Sequence, residues 1–377
     1  MTRRSRTLAA LAAVIAVMQI ASTPPTLTAL AEPEKLPPVA ELIAHAVKQL
    51  VDMQEDGGQW PYEGVYRVNR AIPVGYRVGG TSVVATALLF AAPDDAAAKA
   101  AVAKALAFVL KELDDPLMAP SVQDAYDVRI WGQAYALEFL CHVRATNQAG
   151  VHAMDVSQWI RKLVETLVAE EIAGGGWNYA NHSRHASFVT APVTQALLFA
   201  SGMGEKVPAE VLDRARIALT DSRADSGAFV YSGKTRPSAD TRLPGSAARS
   251  AACEATLLLL GAGSQEATQA AIDAFAIHWE QLEKRRKQTG THEGEYNIAP
   301  YYFYYGHRYA AQAIELLPPE KRPAGRERLL RLILKTRDDD GTWNDRIFPR
   351  SRNYGTAAIV LALLGERTPI PAKWNRK

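Results

Sequence analysis

The sequence predicts an all-α protein, an (α/α)6 toroid of six helical hairpins arranged as an inner and an outer ring of helices. Three observations carry that prediction. Apolar residues recur at helical spacing through a chain rich in Ala and Leu, while alternating β-branched runs are scarce. An apolar segment recurs six times along the chain. A glycine turn followed by an aromatic residue recurs between the copies.

The first element is a leader. The chain opens MTRRSRTLAALAAVIAVMQIASTPPTLTALAEPEK, with Arg3, Arg4 and Arg6 ahead of an apolar run of 14 residues from Leu8 to Ala21. That run falls short of the roughly 20 residues a membrane-spanning helix needs. Small residues at Ala29 and Ala31 then precede Glu32, so residues 1–31 read as a secretory signal peptide cleaved after Ala31, the alternative being an uncleaved anchor. Arg3-Arg4 hints at twin-arginine export, but Arg6 and Thr7 stand where that signal prefers apolar residues. The expected location is periplasmic or extracellular. Residues 32–37 read as a linker, 38–366 as one toroid domain and 367–377 as a C-terminal tail, with no transmembrane segment in the mature chain.

Removing the leader leaves 40 basic and 40 acidic side chains, so the net charge of +3 belongs to the leader. A balanced chain without a sustained basic block argues against nucleic acid as a partner; Lys284-Arg285-Arg286-Lys287 is a local run on a charged helix. Cys141 and Cys253 each lie inside an apolar helical pattern and read as buried free thiols, since two cysteines are too few for a disulfide framework.

The recurring segments are TSVVATALLFA from Thr81, IWGQAYALEFL from Ile130, TAPVTQALLFA from Thr190, SAACEATLLLL from Ser250, HRYAAQAIELL from His307 and TAAIVLALLGE from Thr356. Their starts are 49, 60, 60, 57 and 49 residues apart, too far for one helix per repeat. Between them lie more charged helical patterns at Pro38–Met53, Asp94–Glu112, Val156–Glu171, Pro208–Asp221, Ser264–Lys287 and Ala324–Arg337, several opening on Pro, Ser or Asp. The loops DGGQW, GGGWNY, SGAFVY, EGEYN and DDGTWND repeat a glycine turn and an aromatic; the second unit has SVQDAYDVR instead. Glycine permits the positive-φ turn, and the aromatic can staple it to the next hairpin. Twelve helices in six hairpins suit a closed ring with the apolar helices inside; an open α-solenoid is the alternative.

Met53-Gln54-Glu55-Asp56-Gly57-Gly58-Gln59-Trp60 and Thr336-Arg337-Asp338-Asp339-Asp340-Gly341-Thr342-Trp343 resemble the QW-type repeats of the terpenoid cyclase and protein prenyltransferase superfamily. The resemblance runs from Leu36 to Glu366 and is nearer still to exported prenyltransferase and squalene oxidase repeat proteins. It implies the toroid fold. The Asp-X-Asp-Asp acid of squalene–hopene cyclases has no counterpart, because Asp338-Asp339-Asp340 sits on a repeat loop and Asp124-Ala125-Tyr126-Asp127 has another spacing. The zinc set of the prenyltransferases is incomplete as well. Cys253 and His307 are present, but Ala251 stands where the partnering Asp belongs, so no metal or other cofactor is expected.

In such a ring the inner helices begin around one mouth, where their backbone amides favour anions. Candidate ligand-binding residues are therefore the polar ones near those starts: Tyr76, Arg77, Tyr126, Asp127, Arg129, Asn178, His182, Arg184, His185, Arg242, Arg249, Tyr304, His307, Arg308, Arg352, Asn353 and Tyr354. Arg, His and Tyr in one mouth suit a carboxylate, sulfate or phosphate. Surface arginines and bracing tyrosines are the plainer reading of the same residues. Glu138 and Glu254 fall within apolar helices, where a carboxylate is either paired or poised as a general acid. Glu138 can pair with Arg129 or a neighbouring helix, and Glu254 can face the cavity. Tyr301-Tyr302-Phe303-Tyr304-Tyr305 is the densest aromatic cluster, and core packing accounts for most of it.

Three functions stay open. The first is an exported toroid that binds a small molecule, lipid or glycan in its centre or mouth without the superfamily's catalytic motifs. The second is a cyclase-like enzyme on an isoprenoid or lipid, with Glu254 as acid. The third is a polysaccharide lyase or hydrolase using His185, Tyr304, His307 and Arg249.

Overall fold

Among the described residues, six outer helices and six inner ones alternate along the chain. A computed structural model describes residues 36–65, 67–120, 128–180, 183–237 and 239–375. The outer helices are α1 (Val39–Asp52), α3 (Ala96–Glu112), α5 (Ala153–Ala169), α7 (Ala209–Ser222), α9 (Gln265–Ile277) and α12 (Arg322–Leu334), with a short α10 (Trp279–Glu283) after α9. The inner helices are α2 (Val74–Ala91), α4 (Arg129–Ala145), α6 (Ser187–Gly202), α8 (Leu243–Leu259), α11 (Tyr302–Leu316) and α13 (Arg352–Leu364). Each inner helix packs on the next in that order, α13 packs back on α2, and α1 packs on α13. The ring closes, and the expected all-α (α/α)6 toroid is the observed fold.

Burial separates the two rings. From Val74 to Leu89, α2 buries every residue but Arg77. It is long and apolar enough to cross a membrane, and its burial marks it as a core helix. In α1 the buried residues are Leu42, Ile43, Ala46, Val47 and Leu50, a single stripe facing the inner ring. Asp95 and Ser264 cap α3 and α9, accepting from the amides of Ala98 and Ala267.

The repeat loops act as staples. Trp60, Trp177 and Trp343 are fully buried. Their indole N–H groups donate to the carbonyls of Leu50, Leu167 and Ile333 at 2.8, 2.7 and 3.0 Å. Those carbonyls lie in the last turns of α1, α5 and α12, where the regular i→i+4 ladder runs out; the Ile333 carbonyl also accepts the Thr336 N–H at 3.2 Å. The backbone N–H of the same tryptophans donates to Thr81, Thr190 and Thr356 Oγ1 at 2.9, 3.0 and 3.0 Å. These threonines open three of the recurring segments. In the fourth unit Phe229 keeps only the second bond, to Ser246 Oγ at 2.8 Å.

The turns that carry tryptophan also press on the next outer helix. Gly175 has φ +104°, and a Cβ there would stand 2.4 Å from the Arg214 carbonyl oxygen of α7. Gly341 has φ +81°, and its Cβ would stand 2.3 Å from His45 Nε2 of α1. His45 Nε2 in turn lies 2.9 Å from the Asp340 carbonyl, so the last loop meets the first helix.

Several details differ from the sequence reading. The inner helices begin before the recurring segments, by seven residues at α2. The pattern Ser264–Lys287 breaks at His278, which turns Trp279 inward onto His307. Within residues 367–375, expected as a tail, Ile370 and Trp374 pack on the core, and the Trp374 backbone N–H donates to the Leu259 carbonyl at 2.8 Å. Cys141 and Cys253 are buried free thiols, and burial pushes Cys141 up to about 12. Residues 1–35, where a leader is expected, Asp127 and most of the SVQDAYDVR loop lie outside the described residues, as do the candidates Tyr126 and His182.

Trp177→Ala removes both the buried indole and its bond, and is expected to lower unfolding free energy by about 3–5 kcal/mol. Thr190→Val keeps the volume and removes the acceptor, with an expected cost of about 1–3 kcal/mol. Urea unfolding of the two variants checks this; wild-type stability in both would show that the staple does not hold the ring.

Candidate functional site

The inner helices do converge at one mouth, and aromatic rings close it. Tyr76 of α2, Trp131 of α4, Phe188 of α6, Tyr305 of α11 and Tyr354 of α13 meet Tyr62, Tyr179 and Tyr301 from the loops. Ring centroids lie 4.7 Å apart for Tyr62 and Tyr354 and 5.7 Å for Phe188 and Tyr305. The hollow between them is about 20 Å³, room for about one water.

Polar pairs fill the axis beneath. The hydroxyls of Tyr135 and Tyr309 are 3.3 Å apart. Arg308 pairs with Glu138 and lies over the rings of Tyr135 and Tyr309. The amides of Gln195 and Gln312 exchange bonds of 2.9 and 2.7 Å, and Gln195 also donates to Thr256 Oγ1. These side chains occupy the centre where a ligand cavity was expected.

Most candidate arginines already hold a carboxylate. Arg77 pairs with Glu112, Arg242 with Asp240 and Arg352 with Asp340. Arg129, wholly buried, grips both oxygens of Glu170 at 3.0 and 3.2 Å. Glu138 therefore pairs not with Arg129 but with Arg308, 170 residues away. Burial raises the Glu138 carboxyl, but Arg308 and His142 outweigh it and hold it at about 2, which keeps it ionised. Glu254 does not face a cavity: Arg223, at the end of α7, binds it at 2.6 Å. Burial raises its pKa against that pairing.

The histidines are engaged too. His307 accepts the Trp279 indole N–H at Nε2, 2.9 Å, and donates from Nδ1 to the Phe303 carbonyl, 2.8 Å. Burial lowers it to about 4, so it stays neutral with neither ring nitrogen left for a metal. His185 Nε2 lies 2.9 Å from Ser222 Oγ, and burial lowers its pKa. The Tyr304 hydroxyl donates to the Thr336 carbonyl at 3.3 Å, and Asn178 bridges its own loop to the Arg184 carbonyl. Cys253 Sγ donates to the Ser187 carbonyl. Among the described residues no three His, Cys, Asp or Glu side chains gather as a metal site. The rings of Tyr304 and His307 touch, centroids 5.5 Å apart, but the polar atoms of His185, Tyr304 and His307 are turned to three different neighbours.

Arg249 opens on a cavity of about 320 Å³ at the start of α8, between the SGAFVY and EGEYN loops. It is 6% exposed, and its Nε and Nη1 donate to the carbonyls of Phe229 and Gly245 at 2.8 and 2.6 Å. Tyr231, His292 and Tyr296 form walls, and Arg184 and Arg236 stand on the lip. His292 is held by the Tyr301 hydroxyl at Nε2, 2.8 Å, and its pKa is lowered by burial. The sequence offered the loop aromatics as staples; Phe229 takes part of that role in its unit, and Tyr231, packed on the rings of Phe188 and His292, lines the cavity. The missing tryptophan in both loops was the available signal.

A second unforeseen feature is Asp345, the last residue of DDGTWND. It is fully buried, its Oδ2 accepts from the Tyr62 hydroxyl at 3.5 Å, and its Oδ1 has no partner. Burial raises its carboxyl to about 7, with Arg346 opposing.

No family model matches the chain, and no curated protein sequence matches it either. Solved structures do share the fold. The type II terpene cyclase MstE from Scytonema is 16% identical, covering 87% of this chain and 98% of its own, with a TM-score of 0.52. An α-1,6-mannanase from Salegentibacter, solved with α-1,6-mannotriose, is 13% identical over 87% of this chain and all of its own, with a TM-score of 0.56. A glycosidase solved with glucose is 15% identical over 87% of this chain and 97% of its own, with a TM-score of 0.52. At these identities the likeness is one of fold.

Asp345 links stability to pH. Its folded pKa, about 7, lies above the roughly 3.9 of an unfolded aspartate, so the folded state binds the extra proton between them. Its contribution is full below pH ~4 and is lost as pH rises to about 7. Asp345→Asn is expected to remove that slope, so the wild type loses ground to the variant across this window. Urea unfolding at pH 4, 5.5 and 7.5 measures it, and parallel profiles would refute the shift.

Proposed function

We propose that this protein is an exported toroid that binds a carbohydrate in the cavity at the start of α8. The observation that carries the reading is the cavity's make-up: aromatic faces from Tyr231 and Tyr296 beside hydrogen-bonding groups from Arg249, Asn297 and Ser232. Sugars present both surfaces, C–H faces that pack on rings and hydroxyls that need donors and acceptors. The volume is at the lower end of the roughly 300–1,000 Å³ usual for small-molecule sites. That suits one or two sugar units with the remainder of a chain in solvent.

The leader in residues 1–31 supports export to where glycans are met. The mannanase and the glycosidase described above, both sugar-handling proteins by their descriptions, use the same scaffold. A cyclase-like role needs an apolar chamber along the axis, and here Tyr135, Arg308 and Gln312 stand in it. A lyase or hydrolase role needs acid and base side chains on one substrate, whereas His185, Tyr304 and His307 are turned to separate partners. Binding is therefore the reading we favour over turnover.

Isothermal titration of the mature chain against a panel of neutral and acidic oligosaccharides is expected to find a ligand. Tyr296→Ala is expected to weaken that ligand about five- to tenfold, the loss of ~1 kcal/mol of ring contact. A panel with no binder overturns the reading.

A further inference from the structure

We infer that this cavity seats an oxyanion, and that the carbohydrate it takes is an acidic one, carrying carboxylate or sulfate, held by Arg249. The inference rests on the carbohydrate reading for its sugar and on separate observations for its charge. Burying a guanidinium is costly unless a negative charge accompanies it. Two other deeply buried arginines obey this: Arg129 is paired with Glu170 and Arg308 with Glu138, while Arg346 has beside it only Asp345, whose carboxyl burial raises to about 7. Arg249 is buried to the same degree and has no carboxylate within ion-pair distance among the described residues. The carbonyls of Phe229 and Gly245 fix the plane of its fork but supply no charge.

The surroundings reinforce the sign. Five cationic side chains line the cavity against one acidic one, Asp240, and Arg242 engages that one at 2.9 Å. Arg184 and Arg236, both exposed, likewise have no carboxylate partner among the described residues. A planar guanidinium held in place is suited to two-point binding of carboxylate or sulfate. An acidic sugar would supply the counter-charge from its substituent while its ring meets Tyr231 and Tyr296.

The test is titration calorimetry with the mature chain. The probes are trigalacturonate, its methyl ester, a sulfated heparin tetrasaccharide and neutral mannotriose, with sodium sulfate followed separately by thermal unfolding. We expect trigalacturonate or the sulfated sugar to bind at least about tenfold tighter than its neutral counterpart, with affinity falling as salt rises. Which of the two binds tells carboxylate from sulfate. Arg249→Met should abolish the preference. The paired exposed change Arg184→Ser and Arg236→Ser should weaken acidic binding less and flatten its salt dependence; it decides the matter should Arg249→Met fail to fold. Equal binding of neutral and acidic sugars, unmoved by either variant, overturns the oxyanion seat and leaves the carbohydrate reading standing. Sulfate stabilisation that needs Arg249, with no sugar bound, supports the seat and overturns the carbohydrate reading. No sugar bound and no sulfate effect overturns both.

Discussion

The ring depends on one recurring interaction, an indole N–H given to a helix-terminal carbonyl. A helix that ends inside a protein leaves carbonyls that water cannot reach. Trp60, Trp177 and Trp343 each satisfy one of them and fill the space beside it. The same residue's backbone N–H reaches a threonine on the following inner helix. One residue thus joins the end of an outer helix, the turn and the inner helix, and that local tie repeats in three of the units. Where the tie is incomplete, the architecture changes. The fourth and fifth units carry Phe229 and Tyr296 in place of tryptophan, and their loops stand off enough to enclose the one cavity that Arg249 enters.

Charge is distributed by the same economy. Arginines occur at the start of nearly every inner helix, and a ring of them around a mouth would repel itself. Carboxylates from outer helices, loops or facing inner helices neutralise them individually, as Glu112, Glu170 and Glu138 do. The Glu138–Arg308 pair spans the axis from α4 to α11, and removing one partner would leave a charge stranded there. Polar contacts of this kind fix which residues face each other across a centre that apolar packing alone would leave free to slide.

The fold was legible because its signals are local. Tryptophan to carbonyl is ten residues and tryptophan to threonine is thirteen in two of the three units, so each hairpin states its own geometry. The site was less legible because its logic is pairwise and distant. Arg308 finds Glu138 across 170 residues and Asp345 finds Tyr62 across 283. The candidate arginines near the helix starts look alike in a string, and only their partners separate the neutralised ones from Arg184 and Arg249. Glu254 was open to misreading for a related reason: a helix buried on all sides offers no face that tells axis from outer wall. Asp345 was hidden inside a repeat motif whose neighbouring acids are on the surface.

The contact of Gly341 and Asp340 with His45 joins the two ends of the polypeptide's architecture. During synthesis α1 is made first and its flank stays bare until nearly the whole molecule has been polymerised. Intermediates are therefore arcs, each with one unpartnered helical hairpin at either end, and only the last stretch converts the arc to a hoop.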